Sequence, residues 1–138
     1  MRGTPPAVRE WMTRVPMDAE QCETVGEAMR LMQAYGIRHM PVMCGMSLQG
    51  LVSQRDILKA RCEYGDKLES VPLEDICQDN VLQVNPLTPV NEVAAQMLEW
   101  QVGSAVIVDG DVMVGIFTTT DALRMIRDLF PSKPTRST

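Results

Sequence analysis

Two hydroxyl–carboxylate pairs, Ser53 with Asp56 and Thr118 with Asp121, have the type and spacing to do chemistry. Each sits in one pattern: Gly50-Leu51-Val52-Ser53-Gln54-Arg55-Asp56 and Gly115-Ile116-Phe117-Thr118-Thr119-Thr120-Asp121. A Ser or Thr three residues before an acid, ahead of an apolar run, is a helix capping box. The acid also suits the positive end of the helix dipole. The same arrangement can hold a ligand. A helix N-terminus seats phosphate, a hydroxyl can donate to a phosphate oxygen, and an ionised carboxylate can accept from both hydroxyls of a ribose. Capping and ligand binding do not exclude one another, and both stay open at this level.

The elements that must position these pairs come in two copies. Gly50 and Gly115, Ser53 and Thr118, and Asp56 and Asp121 are each 65 residues apart, a fixed offset that signals internal duplication. In the first copy Val8 to Met12 reads as a helical turn and Val15 to Ala19 as an edge or irregular strand, because it holds Pro16. Thr24 to Tyr35 reads as a helix: Thr24 and Glu27 form a capping box, Val25, Ala28, Met29, Met32 and Tyr35 line one face, and Gly36 stops it. Ile37 to Cys44 and Leu48 to Val52 are strands joined by a turn through Gly45 and Met46, and Asp56 to Arg61 closes the copy as a helix. The second copy repeats this. Leu73 to Cys77 is a turn and Val81 to Val84 a strand. A helix from Thr88 has Pro89 in its first position. Val102 to Val108 and Val112 to Phe117 are strands around Asp109-Gly110, a hairpin signal, and Asp121 to Leu129 is the closing helix. Tyr64 to Val71 reads as the linker. The reading is α+β, with one β-α-β-β-α repeat over residues 8–66, another over 67–130, and flexible tails at 1–7 and 131–138.

Bulk properties narrow the function. A chain of 138 residues with 45% apolar and 22% charged residues suits one soluble unit. Its net charge of −5 argues against non-specific nucleic-acid binding. Cys22, Cys44, Cys62 and Cys77 form no C-x-x-C pair, and His39 is the single histidine, so no metal site is expected. Free thiols fit a reducing compartment. No run approaches the roughly 18 apolar residues of a membrane span, and residues 1–9 lack the apolar core of a secretory signal. A cytoplasmic location away from membranes is the expectation. The methionines on helical faces, Met29, Met32 and Met97, read as core filling.

The duplicated pattern resembles a tandem pair of cystathionine-β-synthase (CBS) domains, a Bateman module. The resemblance rests on Met12-Thr13, on Gly36 to Val42, on Gly103 to Val108, and on the two Gly-to-Asp segments, and covers about residues 8 to 130. It implies two repeats packed with pseudo-two-fold symmetry. It further implies an adenosyl ligand (AMP, ADP, ATP, NAD or S-adenosylmethionine) in clefts between them, and pairing into a homodimer. By the family pattern Asp56 and Asp121 hold ribose hydroxyls, and Ser53 and Thr118 lie near phosphate. No obligatory cofactor is expected. With no catalytic domain recognised in the sequence, the expected role is regulation of a partner protein in trans.

The copies differ where charge matters. Arg38 and His39 precede the middle strand of the first copy, while Gly103 and Ser104 hold those places in the second. Arg38 and His39 can reach phosphate, or stand as a solvated charge and a strand-edge residue. Arg55 and Thr120, inside the motifs, and Ser104 complete the candidate nucleotide-binding set. Two other classes compete. An enzyme has little support, since one His without a partnered nucleophile leaves few acid–base groups. A ligand-independent dimerisation or assembly module would use the Asp and hydroxyl residues only as caps.

Overall fold

The computed structural model describes residues 3–15, 19, 22–45 and 47–132. Its elements are β1 (Thr13–Arg14), α1 (Val25–Tyr35), β2 (His39–Cys44), β3 (Ser47–Ser53), α2 (Gln54–Tyr64), β4 (Gln83–Val84), α3 (Val90–Trp100), β5 (Ser104–Asp109), β6 (Val112–Thr118) and α4 (Thr119–Leu129). Short 3-10 turns cover Val8–Glu10, Gly65–Ser70 and Leu73–Asp75. The expected α+β repeat order is present twice. Most of the strand expected at Val15 to Ala19, Met46 of the first hairpin turn, and the end of the expected tail lie outside the described residues.

The chain divides into two compact units, residues 15–81 and residues 1–14 with 82–138. The cut does not follow the sequence repeat, because each copy's lead segment belongs to the other copy's unit. In residues 15–81, α1 begins as its sequence dictates. Thr24 caps it, Glu27 closes the box, and Gly36 ends it in the left-handed region at φ 66°. Strands β2 and β3 form an antiparallel hairpin with a bulge at Val42/Met43. The core joins Val25, Ala28 and Met32 of α1 to Met40, Val42, Val52, Ile57 and Ala60. Leu68, Val71 and Leu73 belong to it too, which corrects the reading of 64–71 as a linker. The Val25 N–H donates to the Val71 carbonyl at 2.9 Å, and the Leu73 N–H to the Glu23 carbonyl at 2.9 Å. The charged residues of this stretch face water while its apolar ones seal the unit.

The other unit is built alike. Its sheet runs β1-β6-β5-β4, with β5 and β6 antiparallel, a bulge at Ile107/Val108, and β4 parallel to β5. Val8, Leu82, Val84, Val90, Val93, Met97, Ala105, Ile107 and Phe117 form its core. Helix α3 starts at Val90, with Pro89 outside it as N-cap at ψ 142°. Pro89 is held extended by its bridge to Ala7, so the helix begins one residue later than Pro at its first position implies. Pro6, read as tail, accepts from the Val90 N–H at 2.9 Å. Gln101 ends α3 at φ 57°, the place Gly36 fills in α1, so a side chain bears a conformation that glycine adopts without strain.

Candidate functional site

Each motif begins as the last residues of a strand and turns directly into a helix. Ser53 ends β3 and caps α2. Its Oγ accepts from the Asp56 N–H at 3.1 Å, and Asp56 Oδ2 accepts from the Ser53 N–H at 2.8 Å. The Gln54 N–H donates to the Arg38 carbonyl at 2.8 Å. That bond brings the backbone of Arg38 to the first turn of α2, with the Arg38 side chain exposed. His39 pairs across the hairpin with Ser53, so both half-buried side chains share one face of the strands. Arg55 is exposed in the first helical turn. Arg38, His39, Ser53, Arg55 and Asp56 are thus gathered at one helix start.

Thr118 caps α4 in the same way. Its Oγ1 accepts from the Asp121 N–H at 3.2 Å, and its own N–H donates to Asp121 Oδ2 at 2.9 Å. The Thr119 N–H donates to the Gly103 carbonyl at 3.1 Å, and Ser104 pairs with Thr118. Thr120 is exposed. The setting of the carboxylate differs, however. Asp121 is 2% exposed, the one buried charged residue among those described. Oδ1 accepts from Thr13 Oγ1 at 2.9 Å and from the Arg124 guanidinium at 3.1 Å. Oδ2 also accepts from Thr118 Oγ1 at 3.1 Å.

Thr13 has a counterpart that sequence reasoning missed. Gln78 stands 65 residues later, and its amide Nε2 donates to Asp56 Oδ1 at 3.1 Å. The backbones match as well. Thr13 pairs antiparallel with Ile116, and Gln78 with Leu51. The motif glycines make this approach possible. A Cβ on Gly115 would lie 2.7 Å from Met12 Sδ and 2.8 Å from the Thr13 carbonyl. One on Gly50 would collide with the Gln78 carbonyl and lie 3.0 Å from Cys77 Sγ. Both glycines therefore make room for the lead segments. The spacing of Met12-Thr13 and Cys77-Gln78 was the signal available in the sequence.

The surroundings carry few perturbed groups. Burial pushes the Cys77 thiol up, and the Asp79 carboxylate adds to this, so Cys77 is a poor nucleophile at neutral pH. Glu27 is held below the usual carboxylate range by the N–H groups of Glu23 and Thr24. No cluster of three metal-ligating side chains occurs among the described residues. None of their helices is long and apolar enough to cross a membrane.

A two-copy α+β chain, with a capped hydroxyl–carboxylate pair where each hairpin enters its last helix, defines a class of tandem-repeat module. The CBS domain family matches residues 8–63 and 73–128, and the chain belongs to that family as a tandem pair. It is 34% identical to a Vibrio cholerae protein assigned to acetoin utilization, with a TM-score of 0.76 over 92% of this chain and 96% of that one. A CBS domain pair solved with 5′-methylthioadenosine and S-adenosyl-L-methionine has a TM-score of 0.75 over 91% of this chain and 98% of that one. At 24% identity, that likeness shows the fold alone. The A-adding tRNA nucleotidyltransferase of Geobacter sulfurreducens is 30% identical over 73% of this chain. The chain spans only 11% of that enzyme's length, and 22 to 23% of two further enzymes that it matches.

Proposed function

We propose that this chain is a regulatory module that binds an adenosyl ligand (AMP, ADP, ATP, NAD or S-adenosylmethionine) at the start of α2, and through it modulates a partner protein. The observation that carries the reading is Asp56, half-buried with its N–H on the Ser53 hydroxyl at the start of α2. Arg38 meets that start through its carbonyl, His39 through its pairing with Ser53, and Arg55 by its place in the first turn. Asp56 would hold the ribose hydroxyls. Ser53 would donate to phosphate, and the cationic side chains would add charge where a phosphate sits. The adenosyl ligands of the structurally similar CBS pair support the same chemical class. Binding would act on a partner only through unequal affinity for two conformations. Isothermal titration of nucleotide-free protein with AMP, ATP, NAD and S-adenosylmethionine tests this. Silence from all four on folded protein would exclude it.

A second reading, a homodimerisation module, has its own observation. Along α4 and just beyond it, Leu123, Ile126, Leu129 and Phe130 are 67, 52, 49 and 76% exposed. An apolar stripe of that kind favours a covering partner, and a second copy is the simplest one. Light scattering on the intact protein and on Ile126→Glu distinguishes a dimer that dissociates from a monomer that does not change.

A further inference from the structure

The two copies of the motif differ in how much hydrogen-bonding capacity is left over. A carboxylate offers about four acceptor directions, two on each oxygen. Asp121 has four donors: the Thr118 N–H and Oγ1 on Oδ2, Thr13 Oγ1 and the Arg124 guanidinium on Oδ1. Asp56 has two among the described residues, the Ser53 N–H on Oδ2 and Gln78 Nε2 on Oδ1. One acceptor direction on each oxygen of Asp56 is left, which matches the two neighbouring hydroxyls of a ribose. The hydroxyls follow suit. Thr118 gives its proton to Asp121, whereas Ser53 accepts from the Asp56 N–H and keeps its own proton for an incoming oxygen.

We infer that the second motif is a latch rather than a ligand grip: Thr13 and Arg124 saturate Asp121, so the chain takes one adenosyl ligand, at Ser53 and Asp56. Thr13 is the one donor of the four that comes from outside α4 and its cap. It arrives on β1, a two-residue strand held to β6 by the pairs Thr13–Ile116 and Arg14–Gly115. Its hydroxyl ties that strand to a carboxylate that burial would otherwise penalise. Two ribose hydroxyls could take Asp121 only by displacing two of its four donors, and one of the four, Thr13, is anchored by backbone pairing. At the first copy Gln78 is anchored by the same kind of backbone pairing with Leu51, but its amide is the only donor on Asp56 Oδ1 among the described residues, where Asp121 Oδ1 has two. The ligand count rests on the adenosyl reading above; the latch does not.

Two measurements test the inference. Titration of nucleotide-free protein with AMP and with S-adenosylmethionine should give one equivalent per chain. Asp56→Asn should weaken binding at least tenfold, while Thr13→Val should leave affinity within about twofold and lower the unfolding temperature. Two equivalents in the unaltered chain, or loss of one equivalent in folded Thr13→Val, would overturn it. A denaturant double-mutant cycle between Thr13→Val and Asp121→Asn then examines the latch without ligand. Clear coupling supports it, and additive effects overturn it whether or not any ligand binds. Absence of binding by the unaltered chain, together with clear coupling, would reject the adenosyl reading and the ligand count while leaving the latch standing.

Discussion

The amide nitrogen of Gln78 lies 3.1 Å from Asp56 Oδ1, and the two residues are 22 positions apart in the chain. The contact fixes one oxygen of the carboxylate that the proposed ribose site depends on. A hydrogen bond to a charged group contributes more than a neutral one, and exposure reduces it. Gln78→Leu should therefore weaken adenosyl-ligand affinity by about fivefold, a value of about 1 kcal/mol, with little change in unfolding temperature. Isothermal titration alongside thermal unfolding separates the two effects. An unchanged affinity would remove Gln78 from the site.

Gly50 and Gly115 are expected to tolerate no side chain. A methyl at Gly50 meets the Gln78 carbonyl, and one at Gly115 meets the Thr13 carbonyl at 2.8 Å. Backbone cannot swing aside as a flexible side chain does. Overpacking of this kind costs about 1–3 kcal/mol. Gly50→Ala and Gly115→Ala should each lower stability by about that amount in urea unfolding. Gly103→Ala is the control, because nothing lies within 4 Å of its added Cβ.

Leu68 should behave as core. It is 1% exposed and packs with α1 and α2 residues in the first unit. Leu68→Ala is expected to cost about 2–5 kcal/mol through lost burial and a residual cavity. Leu98→Ala, at a side chain 79% exposed, should change stability by less than about 0.5 kcal/mol. Equal effects from the two would return residues 64–71 to the status of a linker.

Glu27 predicts a pH dependence. Its carboxylate accepts from the N–H groups of Glu23 and Thr24 at 2.9 and 3.0 Å, and these bonds hold its pKa below the ordinary value. A depressed folded-state pKa stabilises the fold above the unfolded value, and that stabilisation disappears as pH falls through the folded one. The difference in unfolding temperature between the unaltered chain and Glu27→Gln should be largest near neutral pH. It should begin to shrink below about pH 5, where an ordinary glutamate starts to protonate, and go on shrinking as the folded carboxylate protonates at lower pH. Thermal unfolding from pH 7 to pH 3 follows the gap, and a constant gap would count against the charged capping box.

Local chemistry makes much of the fold legible in the sequence. The Thr24–Glu27, Ser53–Asp56 and Thr118–Asp121 boxes each span three residues, so sequence alone places them. The 65-residue offset and the apolar periodicities place the hairpins and helices between them. The family resemblance could then nominate both aspartates as ribose ligands, because their neighbours in sequence are nearly the same. What sets them apart is not local. Thr13 reaches Asp121 across 108 positions, and Gln78 reaches Asp56 from the opposite copy of the repeat. Only tertiary structure could decide that each lead segment packs against the other copy's motif, that Leu68 and Val71 complete a core, and that one carboxylate is saturated while the other keeps two open directions. The physical reason is that capping depends on residues within one helical turn, whereas carboxylate saturation depends on whatever strand the fold lays beside it.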